Sequence, residues 1–392
     1  MVEFRPVPAG DRRRYREILR YAFSPERGPV TDQPETAWPP TLFDQRGLYD
    51  GDELLGTCKL YYFDARLRGE FQKIGGLGAV ATAPEHRGQS HSRDLCRSAI
   101  EEYHDNGVGF VALWPFSTSF YRNLGWGVAH KRKRFEFPPA ALPEYEVSGQ
   151  MQPLDATDWE RLRPVETADS EGFGLSMRRS EQWWHDRTLS AWTGGTDPYI
   201  YGYERDGTLE GYLVYSVDDE DTLSVADIAA SDEEANRGIL NFLGGHGAQI
   251  ETIVLKRPPE YNLLDRVERP KQIECTLSPG AMVRLTAVSA LETLSWPEID
   301  LDCTISVDDP LVERNDGRFS LSVVDGDATV RPQATGEPDL TVEIGTLSQL
   351  AVGTHGVETA SRLGGLDIRT KSLCEPLASL FERQPVYLQE FF

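Results

Sequence analysis

With 392 residues, 39% of them hydrophobic, and eight Trp, 15 Tyr and 16 Phe, the chain holds apolar material for two or three cores. Its 40 basic and 63 acidic residues leave a formal charge of −23, which excludes nucleic acid as a natural partner because a phosphate backbone needs a basic face. Seven of the cations are Lys and 33 are Arg, and an acidic surface poor in Lys fits a halophilic cytosol. The opening "MVEFRPVPAGDRRRYREILRYAF" lacks an apolar signal core, and no window reaches the ~18 apolar residues of a membrane span, so a cytoplasmic protein without membrane attachment is expected. Cys58, Cys96, Cys275, Cys303 and Cys374 are scattered without CxxC spacing, so neither a disulfide framework nor a metal site is expected.

In chain order, "VEFRPV" predicts a short strand and "AGDRRRYREILRYAFS" an amphipathic helix with Tyr15, Ile18, Leu19 and Ala22 on one face. After a break at Trp38-Pro39-Pro40, a hairpin turns at Asp50-Gly51-Asp52 and runs into a long strand from Leu55 to Leu67. The stretch Gly75 to Tyr103 begins as a small, apolar strand through Val80-Ala81-Thr82, turns at Pro84, and enters a helix through Arg87-Gly88-Gln89-Ser90-His91-Ser92. "VGFVALWP" predicts another strand, and "SFYRNLGWGVAHKRKRFEF" a short helix, a Gly125/Gly127 turn and a closing strand. The order is mixed α/β, with the central helix crossing between strands.

A Pro-rich link, Glu136 to Val147, precedes a partial recurrence. Helices are expected at "LDATDWERLRPVETAD" and "EQWWHDRTL", the latter with Trp183, Trp184 and His185 as inter-domain packing, and a second hairpin turns at Asp206-Gly207. "DEEANRGILNFLGGHG" predicts a helix where the first segment has its central one, but no arginine loop precedes it. From about Leu291 the pattern becomes alternating strands with tight turns at Asn315-Asp316-Gly317 and Asp325-Gly326-Asp327, then a closing helix. Three units are expected, at residues 1–137, 138–288 and 289–392.

A helix N-terminus carries unpaired N–H groups and about half a positive charge, so the Arg87–Ser92 loop can hold an anion, with Arg87 as a bidentate phosphate ligand. Val80 to Thr82 offer strand-edge backbone groups to an extended amide. Pyrophosphate and amides together describe coenzyme A. The same stretch also reads as an ordinary strand-to-helix turn with a solvent-facing arginine. "VATAPEHRGQSHSRDL" resembles motif A of the GNAT acyltransferase superfamily, [Q/R]-x-x-G-x-[G/A], with Ser90 and Ser92 standing at its small positions. "LWPFSTSFYRNLGWG" is similar to a later GNAT segment, and the whole layout resembles the Eis-like (enhanced intracellular survival) N-acetyltransferases.

That resemblance implies two tandem GNAT-type domains, the second degenerate, and a C-terminal sterol-carrier-like α+β domain. It implies acetyl-CoA as co-substrate, with Val80, Ala81, Thr82, Arg87, Gly88, Gln89, Ser90, His91 and Ser92 on the binding stretch. It implies Tyr121 as the acid for the departing thiolate and the Phe392 carboxylate as base, and it sets Phe23, Glu26 and Trp38 on the segment lining the pocket of a small-molecule or peptidyl amine. Relatives assemble as hexamers, so a homo-oligomer is expected. A free α-carboxyl near pKa ~3.3–3.7 is a weak base and needs partial burial or a water relay, for which the apolar Phe391-Phe392 end is suited. Tyr121, Phe23, Trp38 and the Phe-Phe end also read as packing residues, and the alternative function is a non-catalytic protein binding CoA or an apolar ligand on a decayed scaffold.

Overall fold

The computed structural model describes residues 2–30, 42–191, 196–333 and 335–392. Its first strands, β1 (Val2–Pro6), β2 (Phe43–Asp50), β3 (Glu53–Leu67) and β4 (Glu70–Thr82), form an antiparallel meander, and β5 (Phe110–Leu113) joins β4 in parallel. Alternation along β2 sends Leu48 and Tyr49 to opposite sides of this sheet. Tyr49 packs with Tyr15 and Ile18 of α1 (Arg12–Phe23), while Leu48 packs with Leu95, Cys96 and Ala99 of α2 (His91–Asp105). The two helices therefore cover opposite faces, and the parallel β4-α2-β5 crossover follows from that arrangement. The short α3 (Thr118–Arg122) and β6 (Gly127–Val128) come next. The Asp50-Gly51 turn forms as expected, with Gly51 at φ +58°.

The chain divides into one compact unit of Met1–His130 with Gly280–Phe392 and another of Lys131–Pro279. The second contains β7 (Lys131–Phe137), β8 (Gln150–Leu154), α4 (Trp159–Ser170), β9 (Met177–Arg178), α5 (Glu181–Trp183), β10 (Tyr199–Arg205), β11 (Thr208–Val217), β12 (Thr222–Ala230), α6 (Glu233–Gly244), β13 (Thr252–Arg257) and β14 (Glu274–Pro279). Its sheet runs β14-β7-β13-β12-β11-β10-β8. Read from sequence as the closing strand of the first segment, β7 lies instead in this second sheet, between β13 and β14. Trp184 is fully buried in this unit's own core beside Tyr212, so its burial needs no partner domain. Where the first unit has its arginine loop, this unit steps from Ala230 to Glu233, and the Asp232 carboxylate accepts from the Ala235 N–H at 2.8 Å. A helix start filled by its own carboxylate, with Glu233 and Glu234 following, repels a phosphate.

Back in the first unit, β15 (Met282–Leu285) completes the first sheet by pairing with both β5 and β6. Then β16 (Leu301–Asp308), β17 (Gly317–Val324), β18 (Asp327–Pro332), β19 (Leu340–Glu343) and β20 (Leu366–Ile368) form a sheet in the order β18-β17-β16-β19-β20. It carries α7 (Ile344–Val352), α8 (Val357–Arg362) and α9 (Cys374–Leu380). The expected tight turn at Asn315-Asp316-Gly317 is a longer connection, because Asn315 is buried and donates to the Asp309 carboxylate and the Thr286 carbonyl. Leu321, Leu340, Leu347, Leu377 and Phe381 line an apolar space of ≈ 10 Å³, about the room of one water, so side chains fill this core. Among the described residues no helix is long and apolar enough to cross a membrane.

Candidate active site

The site begins where β4 and β5 part. Their pairing runs through Gly75↔Val111 and Gly76↔Ala112, after which β4 continues to Thr82. On the other side, register steps from Lys59↔Gly78 to Thr57↔Ala81, leaving one extra residue on β4. Ala79 takes φ +51° to accommodate it, so β4 bulges and turns away from β5. The Val80–Thr82 backbone thereby presents an edge that an extended ligand can pair with.

Beyond Thr82, a 3-10 turn at Pro84–His86 leads to Arg87 in extended conformation, Gly88 at φ +77° and Ser90 at φ +65°, and α2 starts at His91. His91 and Ser92, expected in the loop, are thus the first helical residues. The N–H groups from Gly88 to Ser92 have no acceptor among the described residues, and Arg87 to Ser90 are exposed. A run of free amides at the N-terminus of a fifteen-residue helix, next to an arginine, fits a pyrophosphate. The Ser92 hydroxyl lies 2.8 Å from that of Thr82, tying the loop to the β4 edge. The Arg87 guanidinium rests 5.2 Å from the Tyr21 ring centroid, and Arg14 pairs with Glu85, so α1 braces the same loop.

Tyr121 sits on α3, whose start is capped by the Ser117 hydroxyl accepting from the Phe120 N–H. Its ring is buried among Phe116, Phe120 and Trp126, with centroids 5.1 to 5.7 Å away. Burial pushes its phenol well above the ordinary tyrosine range, and no hydrogen bond to its hydroxyl occurs among the described residues. The group is a protonated donor with a spare O–H.

The chain end returns to this place. The Phe392 ring packs 5.2 Å from Tyr61 and 5.4 Å from Phe63, and its carbonyl carbon and oxygen come within 3.4 Å of where a Cβ on Gly78 would stand. Phe391 lies half exposed on Trp114, whose indole N–H donates to the Glu390 carbonyl at 2.7 Å. The Phe392 carboxyl group is therefore held beside the residue that precedes the Ala79 bulge. Phe23 and Glu26 are exposed at the end of α1, and Trp38 lies outside the described residues.

Sequence reasoning missed the residues that make room for this end. A Cβ on Gly76 would meet the Phe63 ring at 2.7 Å and the Phe392 ring at 2.8 Å, so the strand needs glycine there. The available signal was the density of glycine in "KIGGLGAV", since glycine inside a strand often marks close approach of another segment.

Comparison with known proteins identifies the domains of the chain. Residues 3–129 and 175–285 each match a model of an acetyltransferase (GNAT) domain, and residues 287–389 match a sterol carrier protein domain. No curated protein matches the chain. Among solved structures, the chain is similar to a conserved protein from Enterococcus faecalis V583 at 19% identity and TM-score 0.86, over 100% of both chains. It is similar to a GCN5-related N-acetyltransferase from Anabaena variabilis ATCC 29413, at 18% identity and TM-score 0.82, again over 100% of both. It is similar also to Eis1 from Mycobacterium abscessus, at 20% identity and TM-score 0.77 over 100% of both chains, and these likenesses show a shared fold. The chain belongs to the GNAT acetyltransferase superfamily and is an acyltransferase of Eis-like layout, with two GNAT domains in tandem followed by a sterol carrier protein domain.

Proposed function

We propose that the chain moves an acetyl group from acetyl-CoA to a primary amine by direct attack in its first unit. The reading rests on the Phe392 carboxyl lying beside Gly78, next to the bulge and free β4 edge that suit a thioester-bearing arm. Arg87 and the Gly88–Ser92 amides bind the pyrophosphate, and Val80 to Thr82 pair with the pantetheine amides. Phe23 and Glu26 line the approach of the amine.

The Phe392 carboxylate takes a proton from the ammonium, directly or through one water, and the freed amine attacks the thioester carbon. A C–N bond forms, the tetrahedral oxyanion collapses, and the C–S bond breaks. Tyr121 donates its phenolic proton to the departing thiolate and regains one from the amide nitrogen. Its raised pKa keeps that proton available across the physiological range. The family likeness supports a cytoplasmic homo-oligomer, hexameric if it follows its relatives.

The test is thiol release from acetyl-CoA over a panel of amines in high salt. Tyr121→Phe is expected to lower kcat about 100-fold with the acetyl-CoA KM nearly unchanged. A few residues added after Phe392 are expected to abolish turnover. Wild-type kcat in Tyr121→Phe sinks the acid, and a fully active extended chain sinks the carboxylate base.

A further inference from the structure

The largest polar group buried in the first unit takes no part in this chemistry. Arg284, on β15, is fully buried together with its partner Asp309, which follows β16, at 2.5 Å. A buried ion pair is costly to desolvate and contributes little net stability, so its use must be sought in what it positions.

Arg284 reaches in three directions. One nitrogen, Nη2, donates to Asp309, and the other, Nη1, donates to the Leu124 carbonyl at 2.6 Å. The guanidinium also lies 5.3 Å from the Trp126 ring centroid. Leu124 and Trp126 are the residues whose N–H groups bond the Tyr121 carbonyl, at 3.0 and 3.1 Å, and the Trp126 ring packs on that of Tyr121. Gly125 lies between them at φ +82°, where a Cβ would fall 1.9 Å from Arg284 Nη1, so the turn is shaped around the guanidinium. Asp309 is itself fixed: it accepts from the Leu311 and Val312 N–H groups and from the Asn315 amide.

We propose that Arg284 is a positioning residue that clamps the Leu124–Trp126 turn and so aims the Tyr121 hydroxyl, with Asp309 from the sterol carrier domain holding the clamp in register. The proposal rests on Tyr121 being the acid. It gives the third domain a share in the reaction besides the chain end.

The experiment is a double-mutant cycle read by thiol release, with melting temperature followed in parallel. Arg284→Lys keeps a cation opposite Asp309 but has one nitrogen, which cannot span both Asp309 and the Leu124 carbonyl. It is expected to lower kcat about tenfold with the acetyl-CoA KM within about twofold, and to add no further loss in a Tyr121→Phe background. Asp309→Asn keeps the acceptor for the Leu311 and Val312 N–H groups and serves as the second variant if Arg284→Lys fails to fold, with the same pattern expected. Wild-type kcat in a folded variant, or an equal fractional loss in both backgrounds, overturns the positioning role while leaving Tyr121 as acid. Wild-type kcat in Tyr121→Phe alone removes the acid and the clamp together.

Discussion

Gly76→Ala is the sharpest test of the chain end, because it perturbs Phe392 without touching the loop at Arg87. The new methyl would stand 2.7 Å from a Phe63 ring carbon and 2.8 and 3.0 Å from two carbons of the Phe392 ring. Carbon–carbon contact is comfortable at about 3.5–4.0 Å, so the Phe392 ring must retreat by roughly 1 Å. Tyr61 and Phe63 pack against that ring at 5.2 and 5.4 Å, so the carboxyl group moves with it. A catalytic group misplaced by about 1 Å costs up to about 100-fold in rate. Stability changes little by comparison, since overpacking of about 1–3 kcal/mol is partly offset by the roughly 0.5–1 kcal/mol gained on replacing a strand glycine. The expected result is a folded enzyme whose kcat in the thiol-release assay falls 10- to 100-fold, by the same estimate, while the acetyl-CoA KM holds. Phe392→Leu, which replaces the ring with a smaller aliphatic side chain, should recover part of the loss when combined with Gly76→Ala. Wild-type kcat in folded Gly76→Ala would refute the claim that the position of Phe392 matters to the reaction.

Two further outcomes follow from the backbone and from burial. Ser90 holds a left-handed conformation that glycine adopts freely, so Ser90→Gly should raise the urea midpoint by about 0.5–1 kcal/mol equivalent and leave acetyl-CoA affinity equal or tighter; weaker affinity would mean that the serine hydroxyl itself binds the ligand. Desolvation raises the phenols of Tyr15, Tyr103, Tyr121 and Tyr212, so each stays protonated in the fold above pH ~10, where the unfolded chain ionises. Their contribution is complete below that pH and is lost above it, at about 1.4 kcal/mol per pH unit for each group. Alkaline titration should show a cooperative rise in tyrosinate absorbance coincident with loss of near-UV circular dichroism, and gradual independent ionisation would contradict it.

Local signals carried much of the architecture. Spacing gave the buried face of α1 at Tyr15 and Ile18, and Asp-Gly pairs marked the turns at Gly51, Gly207 and Gly326, each at positive φ. The Arg87–Ser92 stretch stood out because its residue types announce a change from strand to helix. What sequence could not convey was pairing between distant segments. β7 reads as an ordinary strand and β15 does not stand out, and nothing in "KRKRFEF" or "MVRL" says which sheet receives them. Asn315-Asp316-Gly317 has turn composition, yet Asn315 is drawn inward by Asp309, whose demand for donors arises only after Arg284 is buried. The chain end was legible as apolar, but its placement beside Gly78 depends on two glycines at positions 76 and 78, whose purpose shows only when another segment lies on them.

The assignment of β15 to the first sheet also sets an order of events during synthesis. When the ribosome has delivered β5, that strand is paired with β4 on one side only, and its other edge, the fully buried run Phe110 to Leu113, must wait for Met282–Leu285. The whole second unit, Lys131–Pro279, emerges in between and can close its own sheet first. During that interval the nascent chain carries an open apolar strand edge, the kind of surface on which neighbouring polypeptides on a polysome stick together. Fragments ending anywhere between β5 and β15 should therefore be poorly soluble however well their individual elements form, and the protein is best thought of as acquiring its first domain second.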